Sequence, residues 1–361
     1  MFFRSLIISE VIFHDLKGKG DVVFRPDDKH EIAIRELTKE EIENVKIYFM
    51  SGFAVSLTCE REPTRNARAI FDALAQRRLP EGTKEEERDK EFFNDRGEFD
   101  EKYFNEDGGL AIKIPAERFD NSFQVFVETV ALEMNDYVDN FVRVLRWRGN
   151  GSGPNRPVQG IGGIKWSIDK KAWHWLPEKS YSTKLEHTSM LHTTDEIKSD
   201  VEEFLATGIE ESFGHELLYE AWHQRGESPR SALILAIAAA EVGLKFCIAT
   251  LVPNSLWLAT NVPSPPVEKI LTEYLPTLPA KCTVNGRVLP PSAELMGKLK
   301  KGINLRNQVI HNKTEPLERE TLREILLAVQ SLLWILDYYS GYEWAWEYVD
   351  GITKYQMEHA E

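Results

Sequence analysis

The chain has 361 residues, 42% hydrophobic and 28% charged, enough to bury a sizeable core without covalent staples. Its three cysteines, Cys59, Cys247 and Cys282, are too few and too scattered for a disulfide framework or a four-ligand zinc site, which points to a reducing compartment, the cytoplasm. With 44 basic against 58 acidic residues the net charge is −14, which disfavours indiscriminate binding to nucleic acid or anionic membrane and confines any polyanion partner to a local patch.

The opening MFFRSLIISEVIF is cut short by Glu10 and has no small-residue cleavage site, so it reads as a first strand and not a signal peptide. Residues 21–25 and 30–35 again alternate or cluster β-branched and aromatic residues, whereas 122–147 is apolar every three to four positions, as a helix requires. The first half is therefore α+β. Residues 84–107 are dense in charge and poor in aliphatics, the pattern of an exposed insertion.

Residues 149–163 (GNGSGPNRPVQGIGG) have the glycines of a phosphate loop but follow a helix and precede no Gly-Lys-Ser/Thr, so they are a turn. The alternating IKWSIDKKAWHWL after it predicts a β-hairpin, with Trp173 and Trp175 flanking His174 as sheet packing or as base-stacking rings. From Pro177 to Thr194 the chain turns polar and loses periodicity, which sets a domain boundary at 195. His187 and His192 there are badly spaced for chelation, and neither a metal ion nor a cofactor is expected.

Residues 196–361 read as an all-α helical bundle. One helix is expected near 196–225. A second begins with Ser228 as N-cap and Pro229 at N1 and is apolar nearly all round, hence central. Short pieces follow near 266–275. A third long helix starts after Pro290-Pro291 with Ser292 as cap, and a fourth starts near Thr314 and Pro316, buries Leu322, Ile325, Leu326, Val329, Leu333 and Leu336, and ends at Gly341. The uncharged run 246–267 is interrupted by Pro253, Pro263, Pro265 and Pro266, so no membrane span is expected there.

The third helix carries the chemistry. At about 100° per residue, Leu295, Leu299, Ile303, Val309 and Ile310 form an apolar stripe with Arg306 set into it. A guanidinium there keeps its charge and needs an acid, carbonyls or a phosphate. Lys300, Asn304, Asn307 and His311 share a neighbouring stripe that suits a phosphate and a ribose, with Lys301 beside it. Residues 281–313 hold seven basic side chains against the single acid Glu294, a basic island in an acidic chain. Glu241, inside the second helix, is the acid expected to meet Arg306, with an internal pair to Lys245 as its alternative.

Within this helix, LRNQVIHN resembles the signature of the HEPN superfamily (higher eukaryotes and prokaryotes nucleotide-binding): an arginine, a polar residue, then a histidine, here Arg306, Asn307 and His311. The arrangement of about 196–345, a buried helix with internal Glu241, a variable connection, the motif helix and a long apolar helix, is similar to the Apea-like branch. A second Arg–His pair at the same spacing, Arg25 and His30, lies in a Pro-Asp turn without that context. The resemblance implies metal-independent RNA cleavage, in which the ribose 2′-hydroxyl attacks the adjacent phosphate to leave a 2′,3′-cyclic phosphate. His311 would move the proton, Arg306 would hold the phosphorane's charge, and Asn307 would orient ribose or imidazole. Lys300, Lys301 and Asn304 would contact substrate and Glu241 would support Arg306.

Five residues along a helix separate Arg306 and His311 by about 140° and about 7.5 Å, so a composite site across a homodimer is expected. The setting implied is a toxin or antiviral defence ribonuclease, with RNA as substrate and a possible antitoxin or regulatory partner, its residues 1–195 sensing or positioning. One alternative is a non-catalytic bundle that binds nucleotide or RNA or only dimerises. Another puts an enzyme in residues 1–195, where no nucleophile elbow, metal cluster or phosphate loop is seen.

Overall fold

Alternation at the N-terminus produces strand β1 (Phe2–Ser9), with Phe3 and Ser5 buried and Phe2 and Arg4 partly open. The computed structural model describes residues 1–9, 12–13, 20–37, 53–84, 92–94, 98–151, 163–177, 190–261, 265–310 and 317–360. β2 (Ile12–Phe13) follows, then β3 (Val22–Phe24), β4 (His30–Glu36) and β5 (Phe53–Glu60), and later β6 (Lys165–Ser167), β7 (His174–Trp175) and β8 (Met190–Leu191). Six of these form one sheet in the order β3-β4-β5-β1-β6-β7, antiparallel throughout, while β2 and β8 pair in parallel. β6 and β7 are the expected hairpin, joined with Trp166 opposite His174.

Two helices pack against this sheet's residues. α1 (Arg65–Ala75), unforeseen above, starts at Thr64, whose hydroxyl accepts from the Ala67 N–H, and buries Ala67, Ile70, Phe71 and Leu74. Phe71 is an aromatic hub, its ring 4.7 Å from Trp166 and 5.3 Å from Phe123 between centroids. α2 (Asn121–Arg148) is the long helix expected over 122–147, capped by Asp120, which accepts from the Ser122 and Phe123 N–H groups.

The chain divides into two compact units, Met1–Gly149 with Arg156–Ile209, and Glu210–Glu361 with Asn150–Asn155. The division therefore falls beyond the expected 195. The single helix expected over 196–225 is two, α3 (Asp195–Thr207) and α4 (Phe213–Gln224), separated where Gly208 takes a left-handed φ of 70°. α3 belongs to the first unit because Arg148 of α2, 2% exposed, needs its carboxylates: Arg148 Nε lies 2.5 Å from Asp200 and Nη2 2.9 Å from Glu196.

The second unit is helical. α5 (Pro229–Leu251), preceded by Ser228, is its central helix and packs on α4, α7 (Ala293–Ile310) and α8 (Arg319–Ser340). A short α6 (Leu256–Asn261) and a helical segment over 267–277 lie between α5 and α7, and α9 (Gly351–Glu358) follows α8. Ser292 Oγ accepts from the Leu295 N–H at the start of α7, and Gly341, φ 112°, ends α8. The six apolar residues expected on α8 are buried. α5 is long and apolar enough to cross a membrane on length and composition alone, with half of that window buried. His215 of α4, 1% exposed, joins Asp337 of α8 at 2.8 Å against the Trp334 ring.

Asp120 is held well down, to about 2, by hydrogen bonds from Ser122 and Asn66, below the ordinary aspartate value of about 3.9. Because the folded value is the lower one, this stabilisation is complete above about pH 4 and is lost as pH falls towards 2. Asp120→Ala is expected to cost about 1 kcal/mol at neutral pH in urea titrations, a difference that closes in acid. A Cβ at Gly214 would sit 3.0 Å from the Gly243 Cα and 3.1 Å from the Ala239 carbonyl oxygen. Those are backbone atoms of α5, so Gly214→Ala is expected to lower stability by about 1–3 kcal/mol.

Candidate functional site

The register of α5 and α7 is set at Gly302. A Cβ there would lie 2.9 Å from Ile325 Cγ2 and 3.0 Å from Ile237 Cδ1, so α7 seats against α5 and α8 at its one buried glycine. One turn later Arg306 Nη2 meets Glu241 Oε1 of α5 at 2.6 Å. This is the acid expected for Arg306, reached across 65 positions of sequence. The side chains remain 18% and 16% exposed, so the pair is shielded but not sealed.

Arg306 and Glu241 open onto a cleft of about 780 Å³ whose walls are α5, α7 and residues 265–273. Lys300, Asn304 and Asn307 line it too, at the four- and seven-residue offsets that put them on one face. One described candidate, Lys301, is not among its lining residues. Lys301 points to α8, 3.6 Å from Glu324 and 3.4 Å from the Thr321 hydroxyl, because it lies one residue, about 100°, round the helix from Lys300. His311 lies outside the described residues. The apolar stripe is buried only at Leu295 and Leu299. Ile303 and Val309 are partly exposed and Ile310 is 52% exposed.

The cleft is not the basic patch that local sequence suggested. Lys300 Nζ is 2.9 Å from Glu268, Lys269 is 3.8 Å from Glu273, and Arg306 is held by Glu241, so among the described residues each cation lining it faces a carboxylate. Outside it, Lys298 pairs with Glu294 at 2.8 Å. Glu268 and Glu273 went unrecognised as site residues. The i,i+4 relation of Glu273 to Lys269 was visible, but Glu268 meets Lys300 on a helix 32 positions away.

The lining groups left for a ligand are the amides of Asn304 and Asn307; the Thr272 hydroxyl already donates to the Glu268 carbonyl oxygen at 3.0 Å, and Arg306 Nε is buried without a hydrogen-bond partner among the described residues. A guanidinium held by one carboxylate, with a further N–H unspent, is suited to stabilising an anion.

The other features singled out in the sequence are structural. His174 Nδ1 accepts from the Leu110 N–H at 3.1 Å, its ring stacks on the fully buried Trp166, and burial pushes its pKa down. Trp173 is buried under the Arg4 guanidinium, and Trp175 lies between Lys113 and Lys165, so neither ring offers an open stacking face. Arg25 pairs with Glu31, while His30 bonds Asp27 at 2.8 Å and stacks on Tyr137. Burial pushes the Cys59 and Cys247 thiols up to about 11 and about 12, so neither is a thiolate at neutral pH. His187 lies outside the described residues.

No protein-family model, curated protein or solved structure matches the chain.

Removing Glu241 strands Arg306 in a half-closed setting. Glu241→Gln and Arg306→Met are each expected to destabilise the second unit. A double-mutant cycle read by chemical denaturation is expected to give a favourable coupling of about 1–3 kcal/mol, above that of an exposed pair.

Proposed function

We propose that the second unit is a metal-independent endoribonuclease of the HEPN type, cleaving RNA by attack of a ribose 2′-hydroxyl on the adjacent phosphate, which breaks the P–O5′ bond to leave a 2′,3′-cyclic phosphate and a 5′-hydroxyl. The observation that carries this reading is the convergence of Arg306, Asn307, Asn304 and Lys300 on one open cleft, with Glu241 fixing the guanidinium. In this mechanism Arg306 stabilises the phosphorane's charge, Asn307 and Asn304 orient the ribose, and Lys300 holds a neighbouring phosphate. His311, directly after Ile310, moves the proton to or from the reacting oxygen. Lys301, turned to α8, is left out.

Two copies of the motif facing each other would complete the site, so the active form is a homodimer built through the helical bundle. The exposed Ile310 of α7 and Phe246 of α5 supply apolar surface for such a contact. The first unit senses or positions the substrate, an antitoxin or regulatory protein controls it, and the protein works in the cytoplasm in toxin action or antiviral defence.

A second reading, a non-catalytic module that binds nucleotide or RNA or only dimerises, is favoured by the one-to-one matching of cations and carboxylates in the cleft. The two separate in one assay with mixed RNA. The ribonuclease reading expects products ending in 2′,3′-cyclic phosphate and a loss of about 100-fold or more in His311→Ala and Arg306→Ala. Binding without cleavage by the unmodified protein supports the second reading, and equal cleavage by all three proteins removes the first.

A further inference from the structure

One group of cations in the second unit escapes the matching seen in the cleft. A smaller cavity of about 280 Å³ lies between the end of α4 and the first two turns of α8, floored by the buried Leu322 and Leu326. Among the described residues, Arg225, Arg319 and Arg323 line it with the single acid Glu320. Glu320 is taken by Arg323 at 3.2 Å. Arg225 spends one N–H on the Trp222 carbonyl oxygen, and its guanidinium carbon lies 5.3 Å from that residue's ring centroid. Arg319 has no hydrogen-bond or ion-pair partner among the described residues.

Three guanidiniums against one carboxylate leave a net charge of +2 on the described lining of one small cavity, in a chain whose overall charge is −14. Arginines cannot relieve this by losing protons, so the cost of their convergence is recovered when an anion sits among them. Planar guanidinium forks match tetrahedral oxyanions bidentately, and the charge distinguishes among these. A phosphomonoester carries about −1.5 to −2 at neutral pH and cancels the excess, whereas a diester carries only about −1. The volume is several times a water molecule's share of about 30 Å³, room for a phosphate and the first atoms of its ester.

We infer that this cavity is a phosphomonoester-binding site formed by Arg225, Arg319 and Arg323. It is separate from the cleft and does not rest on the ribonuclease reading. The phosphate belongs either to a small phosphorylated molecule or to the terminal phosphate of a nucleic acid.

Calorimetric titration of the full chain at low ionic strength tests it, with inorganic phosphate and dimethyl phosphate as probes. Phosphate is expected to bind at least about fivefold more tightly than dimethyl phosphate, since one more charge meets the excess. The Arg319→Gln/Arg323→Gln double variant, altered only at exposed positions, is expected to lose about tenfold or more in phosphate affinity. Lys298→Gln, which removes a cation away from this cavity, is expected to leave it unchanged. A 5′-phosphorylated tetradeoxynucleotide that displaces phosphate where its 5′-hydroxyl counterpart does not assigns the ester to a nucleic-acid end. Failure of both to displace it, with phosphate still bound, assigns a small molecule. No preference for phosphate over dimethyl phosphate, or equal phosphate affinity in the double variant, overturns the site.

Discussion

The second unit is organised around a charge that cannot be discharged. Arg306 sits among apolar neighbours on α7, where a guanidinium needs a carboxylate beside it. α5 is otherwise apolar through its middle, and Glu241 is the break in that run. Joining them at 2.6 Å fixes the rotation of both helices, while Gly302, one turn earlier, fixes their separation by leaving no space for a side chain between Ile237 and Ile325. Lys300, Asn304 and Asn307 then fall on the cleft and Lys301 falls off it as a geometric consequence.

Charge counted along a chain differs from charge met in space. Residues 281–313 are strongly basic in sequence, yet Glu241, Glu268 and Glu324, all from outside that window, come to face Arg306, Lys300 and Lys301. The first unit shows the same effect in reverse. Arg148 at the end of α2 is almost fully buried, and its acids Glu196 and Asp200 arrive on α3, about fifty positions later. That single requirement draws α3 into the first unit and moves the division to Ile209.

This explains which parts were legible. The start of α5, the start of α7 and the end of α8 follow from Pro229, Ser292 and Gly341, whose effects act within a few residues, although Ser228 turns its hydroxyl to Ser231 and makes no side-chain cap bond. The Arg306–Glu241 pair was legible because an arginine in an apolar stripe and an acid in an apolar helix each demand a partner. Gly208 carried a stop signal of the same local kind that the 196–225 reading passed over. β5 and α1 were missed although the mainly apolar run Phe53–Leu57, and Thr64 followed by the spacing Ala67, Ile70, Phe71, Leu74, announce a strand and a helix by local signals. Glu268 and Glu273 were beyond reach, since nothing near them in sequence says which helix they face.

The pairs in the cleft differ in how readily they exchange. Glu241 and Arg306 are mostly withdrawn from water, and separating them leaves a poorly solvated charge on each side. Lys300 and Glu268 are 59% and 52% exposed, a setting in which an ion pair is worth about 0–1 kcal/mol. An anion entering the cleft would therefore displace Glu268 from Lys300 at small cost, whereas at Arg306 it would have to add to the existing pair beside the amides of Asn304 and Asn307. Among the described residues the cleft thus holds one withdrawn ion pair, at Arg306, and two exposed ones, at Lys300 and Lys269. A ligand selected by such an arrangement is recognised by the position of its charge relative to its hydrogen-bonding groups more than by its total charge, which is consistent with a binding surface on so acidic a chain.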